Sequence, residues 1–83
     1  MTSVMIKLKL AEHVKDFVNC VNRYDMPMDL KSGRHYIDAK SILGIFSLDL
    51  SRDIELLIHD SDTTSAQTRQ LLAEISRFAA AAH

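Results

Sequence analysis

Residues 31–50 contain, in order, a tight turn, a short extended run, a capping serine and a compact apolar cluster, an order that leaves few ways to fold. Ser32 and Gly33 mark the turn, because a two-residue loop containing glycine is the usual β-hairpin connection. Residues 34–38 are therefore expected to pair back on the strand before them. Ala39, Lys40 and Ser41 then open a short helix over residues 41–47. The Ser41 side chain is placed there to accept a hydrogen bond from a first-turn N–H that has no partner within the helix. Ile42, Leu43, Ile45, Phe46 and Leu48 are its apolar residues, and Gly44, unfavourable inside a helix, points to close packing.

The flanking segments have equally distinct periods. Val4, Ile6 and Leu8 alternate with Met5, Lys7 and Lys9, the pattern of a half-buried strand ending near Leu8. From about Leu10 the period lengthens: Val14, Phe17, Val18 and Val21 make one apolar face of a helix that ends near Asn22 or Arg23. Met26, Met28 and Leu30 alternate with Pro27, Asp29 and Lys31 as a second strand, with Pro27 near its start or on a sheet edge. After a loop at residues 51–53, residues 54–59 read as a largely buried strand. Residues 60–65 supply turn and cap side chains, and Leu71, Leu72, Ile75, Phe78 and Ala79 form the core face of a C-terminal helix. The order is β-α-β-β-α-β-α. Its simplest packing is an α+β fold, a four-stranded antiparallel sheet with three helices on one face.

With 83 residues, residues 1–83 are expected to form one domain whose 47% apolar content suffices for a compact core. A formal net charge of −1 gives no overall field to draw in nucleic acid or anionic lipid. No apolar run approaches the roughly 18 residues that cross a bilayer, and no signal-type segment opens the chain. No membrane association and a cytoplasmic location are expected. The single Cys20 has no internal disulfide partner and, beside Phe17, Val18 and Val21, reads as a reduced thiol at the core margin. Residues 79–83 read as the fraying end of a helix or as the residue of an expression tag, so His83 is no candidate for a site.

Reaction chemistry finds little to stand on. His13, His35 and His59 come from three separate elements, without the short spacings that build a metal-ligand pair, so no metal and no cofactor are expected. Gly33 and Gly44 are the chain's two glycines, too few for a phosphate-cradling loop, and no nucleophile elbow is present. The chain is not expected to be an enzyme.

The Lys40, Ser41 pair, the Ala39 before it and the apolar residues 42–48 resemble the HPr family, the phosphocarrier proteins of the bacterial sugar phosphotransferase system. The resemblance extends over roughly residues 10–78. It implies an open-faced β-sandwich, in agreement with the element order. It also implies that Ser41 holds the place of a regulatory serine phosphorylated by a dedicated kinase. The family's catalytic histidine stands at the start of the first helix, followed by arginine and proline. Counting back from Ser41 without gaps places Leu10, Glu12 and His13 at those three positions. Leucine takes no phosphoryl group, and a glutamate at the arginine position repels one. A first strand ending near Leu8 also leaves no room for the loop that exposes the family's histidine.

The resemblance therefore implies a non-catalytic regulatory module that binds a protein partner through Ser41 and the small helix. Lys40, Ile42, Ile45, Phe46 and Leu48 are its expected contact residues. Phosphorylated Ser41 would put about two negative charges at a helix N-terminus, where free N–H groups stabilise them. The expected partner is a transcription regulator, an HPr-type kinase or another phosphotransferase-system component. One alternative is a phosphocarrier with His13 as a displaced acceptor, aided by Lys9 or Lys15. The other is a structural module, a homodimer formed because a shortened loop strains the first strand.

Overall fold

Residues 1–60 and 65–80 are described by a computed structural model. The alternation read from the sequence builds four strands: β1 (Thr2–Ile6), β2 (Met28–Ser32), β3 (His35–Asp38) and β4 (Ile54–Ile58). They form one sheet in the order β1-β4-β2-β3, with every neighbouring pair antiparallel. The register sets Ile6 opposite Ile54, Leu30 opposite Leu56 and Met28 opposite Ile58, all buried under the helices. One residue along each strand, Met5, Glu55, Lys31 and Tyr36 form a row on the other face, where Met5 and Tyr36 are exposed. A period of two thus gives one dry face and one wet face.

Three helices cover the dry face: α1 (Ala11–Val21), α2 (Ile42–Phe46) and α3 (Ala66–Ile75), the last running into a 3-10 turn at Ser76–Phe78. α1 buries Val14, Phe17, Cys20 and Val21, and α3 buries Thr68, Leu71 and Ile75. The Phe17 and Phe78 rings meet edge to face at 5.6 Å and 88°, a favoured aromatic geometry. The element order and the fold class are those expected, a four-stranded antiparallel sheet with its helices on one side.

Several boundaries differ from the sequence reading. β1 ends at Ile6 rather than near Leu8, its last partner on β4 being Ile54, and its outer edge there meets the C-terminal segment. The Lys7 N–H donates to the Phe78 carbonyl at 2.8 Å, the Ala80 N–H donates to the Met5 carbonyl at 2.9 Å, and Ile6 bridges Ala79. Part of the outer edge of β1 is thereby satisfied, and residues 7–10 form the connection to α1 that was expected to be missing. Phe78 and Ala79 accordingly leave the C-terminal helix. The hairpin loop is Gly33 and Arg34, since Ser32 still pairs with His35. Gly33 has φ +61°, a conformation that glycine adopts without steric penalty.

Pro27 lies just before β2, where its carbonyl accepts from the His59 N–H at 2.9 Å. Ser65 caps α3, its hydroxyl accepting from the Thr68 N–H at 3.1 Å. The rest of the expected turn, residues 61–64, lies outside the described residues, as does His83. Among the described residues no helix is long and apolar enough to cross a membrane.

Candidate functional site

A helix of five residues can bury one face only. Ile45 is fully buried, while Ile42, its i−3 neighbour, and Leu48 are half-buried against the same core. The other face carries Leu43, 81% exposed, and Phe46, 43% exposed. Of the expected contact residues, Phe46 is therefore the most accessible, whereas Ile45 belongs to the core. Leu43, absent from that set, presents the largest apolar side chain surface on α2. The i, i+3 relation between Ile42 and Ile45 was the available signal, because it leaves Leu43 and Phe46 together on the opposite side.

Ser41 stands at the head of this helix with extended backbone, φ −98° and ψ 105°, and its hydroxyl accepts from the Gly44 N–H at 3.2 Å. It is exposed to solvent. At the far end the Ser47 hydroxyl donates to the Gly44 carbonyl at 2.5 Å. Lys40 is anchored twice: its N–H donates to Asp38 Oδ1 at 2.9 Å and its ammonium to the Tyr24 carbonyl at 2.5 Å. The lysine thus ties the entrance of α2 to the turn that follows α1.

At the start of α1, Leu10 occupies the N-cap without any side-chain hydrogen bond and is 52% exposed. Its carbonyl accepts from the N–H groups of His13 and Val14 at 2.9 and 3.2 Å. Glu12 lies in the first turn. His13 is half-buried and faces a cavity with Lys7, Asp16, Arg77 and Phe78. Lys9 and Lys15, the cations that could serve the displaced-acceptor alternative only by coincidence, do not line that cavity. Lys7 and Arg77 do, and sequence distance hid them because they come from opposite ends of the chain.

His59 is engaged elsewhere, with Nε2 2.8 Å from Asp29 Oδ2 on the wet face of the sheet. His35 lies exposed at the hairpin. Among the described residues no three His, Cys, Asp or Glu side chains gather as metal ligands. A further polar cluster joins the end of α1 to α3: the Cys20 thiol donates to Glu74 Oε2 at 3.3 Å, and Arg23 pairs with the same oxygen at 2.6 Å. Burial, then the bond to Glu74, pushes the thiol up from its ordinary pKa. The buried Tyr24 hydroxyl is pushed up to about 12, by burial first and by the Glu74 carboxylate next.

The described geometry agrees with what comparison finds. Over residues 8–81 the chain matches the family model described as the PTS HPr component phosphorylation site. No curated protein matches it. Among solved structures it is similar to HPr-C-His from Thermoanaerobacter tengcongensis, with 23% identity, a TM-score of 0.69 and 90% of each chain covered. At that identity the likeness speaks for the fold. The family match, spanning most of the chain and including both helices that bear the exposed residues Leu10, Leu43 and Phe46, places this protein in the HPr family of the phosphotransferase system.

Proposed function

We propose that the chain is a non-catalytic, cytoplasmic regulatory member of the HPr family. It binds a protein partner through the outer face of α2, and Ser41 is the residue whose modification controls that binding. The single observation that carries the reading is the exposure of Leu43 and Phe46 on a short helix headed by an accessible serine. Exposed apolar side chains next to a modifiable polar group suit a regulated docking surface. The residue that the resemblance sets at the phosphocarrier position is Leu10, which supports a role without phosphotransfer. Phosphate on Ser41 would meet the N–H of Gly44, now held by the hydroxyl oxygen, and would add charge beside Leu43 without a carboxylate in the first turn of α2 to oppose it. Transcription regulators, HPr-type kinases and phosphotransferase-system components are the partner classes to examine.

Intact-mass analysis tests this after incubation with the phosphoenolpyruvate-dependent first enzyme of the system or with the ATP-dependent HPr serine kinase. An acid-stable phosphate lost in Ser41→Ala is expected. An acid-labile phosphate lost in His13→Ala would replace this reading with that of a phosphocarrier, for which the cavity shared with Lys7 and Arg77 offers cations.

A further inference from the structure

The cavity between β1, α1 and the C-terminal turn has a volume of 360 Å³, within the range of small-ligand sites. None of its lining residues comes from α2, so it is separate from the surface assigned to a protein partner. Four of the five side chains around it are polar: Lys7, His13, Asp16 and Arg77. Groups of this kind ordinarily pair with one another. Here His13, Asp16 and Arg77 make no ion pair and no side-chain hydrogen bond among the described residues, and Lys7 alone is engaged, with Asp53 at 3.4 Å.

The arrangement is also held in place. The Arg77 guanidinium carbon lies over the Phe78 ring, 4.7 Å from its centroid, and that ring meets Phe17 edge to face. This contact over the ring holds the cation in place, and its N–H donors remain available to oxygen atoms. The hydrogen bond from the Lys7 N–H to the Phe78 carbonyl keeps the lysine and the arginine on one wall. His13 and Asp16 lie one turn apart on α1 and face the same space.

We propose that this cavity reversibly binds a small phosphate monoester that carries a hydroxyl group. Arg77, with Lys7 and His13, takes the phosphate oxygens through charge-assisted hydrogen bonds. Asp16 accepts a hydrogen bond from the hydroxyl. The same carboxylate opposes a bare phosphate ion, which offers it charge without that donor, so the site selects the ester. No covalent bond forms, and the protein's mass is unchanged, which separates this binding from phosphorylation of His13.

The test is an amide-resolved NMR titration of the full chain with glycerol 3-phosphate and, separately, inorganic phosphate, at ionic strength held constant with sodium chloride. Saturable shifts are expected at residues 7, 13, 16, 77 and 78, with the ester bound roughly fivefold tighter, the worth of one hydrogen bond. Arg77→Gln is expected to weaken ester binding about tenfold or more, a loss of one charge-assisted contact. Asp16→Asn removes the preference by tightening inorganic phosphate and loosening the ester. The spectra themselves show whether each variant is folded. Linear shifts without saturation, shifts centred elsewhere, or equal binding by Arg77→Gln would overturn the site. An unchanged ratio of ester to phosphate in Asp16→Asn would overturn the ester class.

Discussion

The Ser41 hydroxyl oxygen lies 3.2 Å from the Gly44 amide nitrogen and also 3.2 Å from the point where a β-carbon at residue 44 would sit. The cap of α2 and the glycine inside it are therefore one device. Ser41→Ala removes the cap and is expected to cost about 1 kcal/mol. Gly44→Ala gains up to about 1 kcal/mol of helix propensity but displaces the serine, and Ile37 Cδ1 at 3.4 Å limits where the new methyl group can go. The single change should be close to neutral. In the Gly44→Ala background, Ser41→Ala should cost less than about 0.5 kcal/mol, a coupling that a double-mutant cycle by urea unfolding measures. Strict additivity would mean that the hydroxyl keeps its cap beside an alanine.

The two faces of α2 should separate stability from binding. Ile45→Ala leaves a cavity in the core and is expected to cost about 2–5 kcal/mol. Leu43→Ala removes a side chain that is 81% exposed and should shift stability by no more than about 0.5 kcal/mol. Any loss of partner binding in Leu43→Ala, measured by titration calorimetry with the partner protein, then reports the interface and not the fold.

Gly33 tests the hairpin. Nothing lies within 4 Å of a β-carbon built at this residue, yet its φ is +61°. Gly33→Ala is therefore expected to cost about 1–2 kcal/mol through backbone strain alone, and Gly33→Asn less, because asparagine tolerates that conformation. Thermal unfolding of the two variants gives the order.

Strands and helices that take their structure from local pattern were legible. Ile54, Leu56 and Ile58 alternate and are buried, Val14, Phe17 and Val21 share a helix face and are buried, and the Ser41 cap forms with the Gly44 N–H. Features that depend on distant chain were not. The outer edge of β1 pairs with residues 78–80 from the other end of the chain, and Phe78 lies in the 3-10 turn where its ring meets Phe17. The same meeting of chain ends puts Lys7 and Arg77 around His13. The i, i+3 spacing pairs Ile42 with Ile45 and Leu43 with Phe46, but which of the two pairs is buried depends on where the sheet lies.

Cys20 should be inert in the folded protein. It is 2% exposed, and burial together with the Glu74 carboxylate holds the thiol above its ordinary pKa, so little thiolate is present near neutrality. A thiol-reactive chromophore at pH 7.5 is expected to label Cys20 at the rate of opening or unfolding. Glu74→Gln removes the acceptor of the thiol's hydrogen bond and should speed labelling only as far as it makes that opening easier, in step with the loss of stability. Labelling as fast as that of a free thiol in the wild type would contradict the burial.

Acid should expose the work of two carboxylates. Burial raises the pKa of Asp60, but the hydroxyls of Thr2 and Thr68, each donating at 3.1 Å, outweigh it and leave the group below its ordinary value. The Cys20 thiol, and with it Arg23, holds Glu74 below its ordinary value too. A carboxyl whose folded pKa is depressed binds protons more readily when unfolded. Its stabilisation is therefore full above the unfolded pKa, about 3.9 for Asp and 4.3 for Glu, and is lost as the pH falls through the lower folded value. Urea midpoints measured from pH 7 downward should stay level to about pH 5 and then fall as these groups take up protons. Asp60→Asn should lower the neutral plateau and flatten the acid limb, because the amide has no proton to gain. An acid limb equally steep in Asp60→Asn and in Glu74→Gln would place the acid sensitivity in other carboxylates.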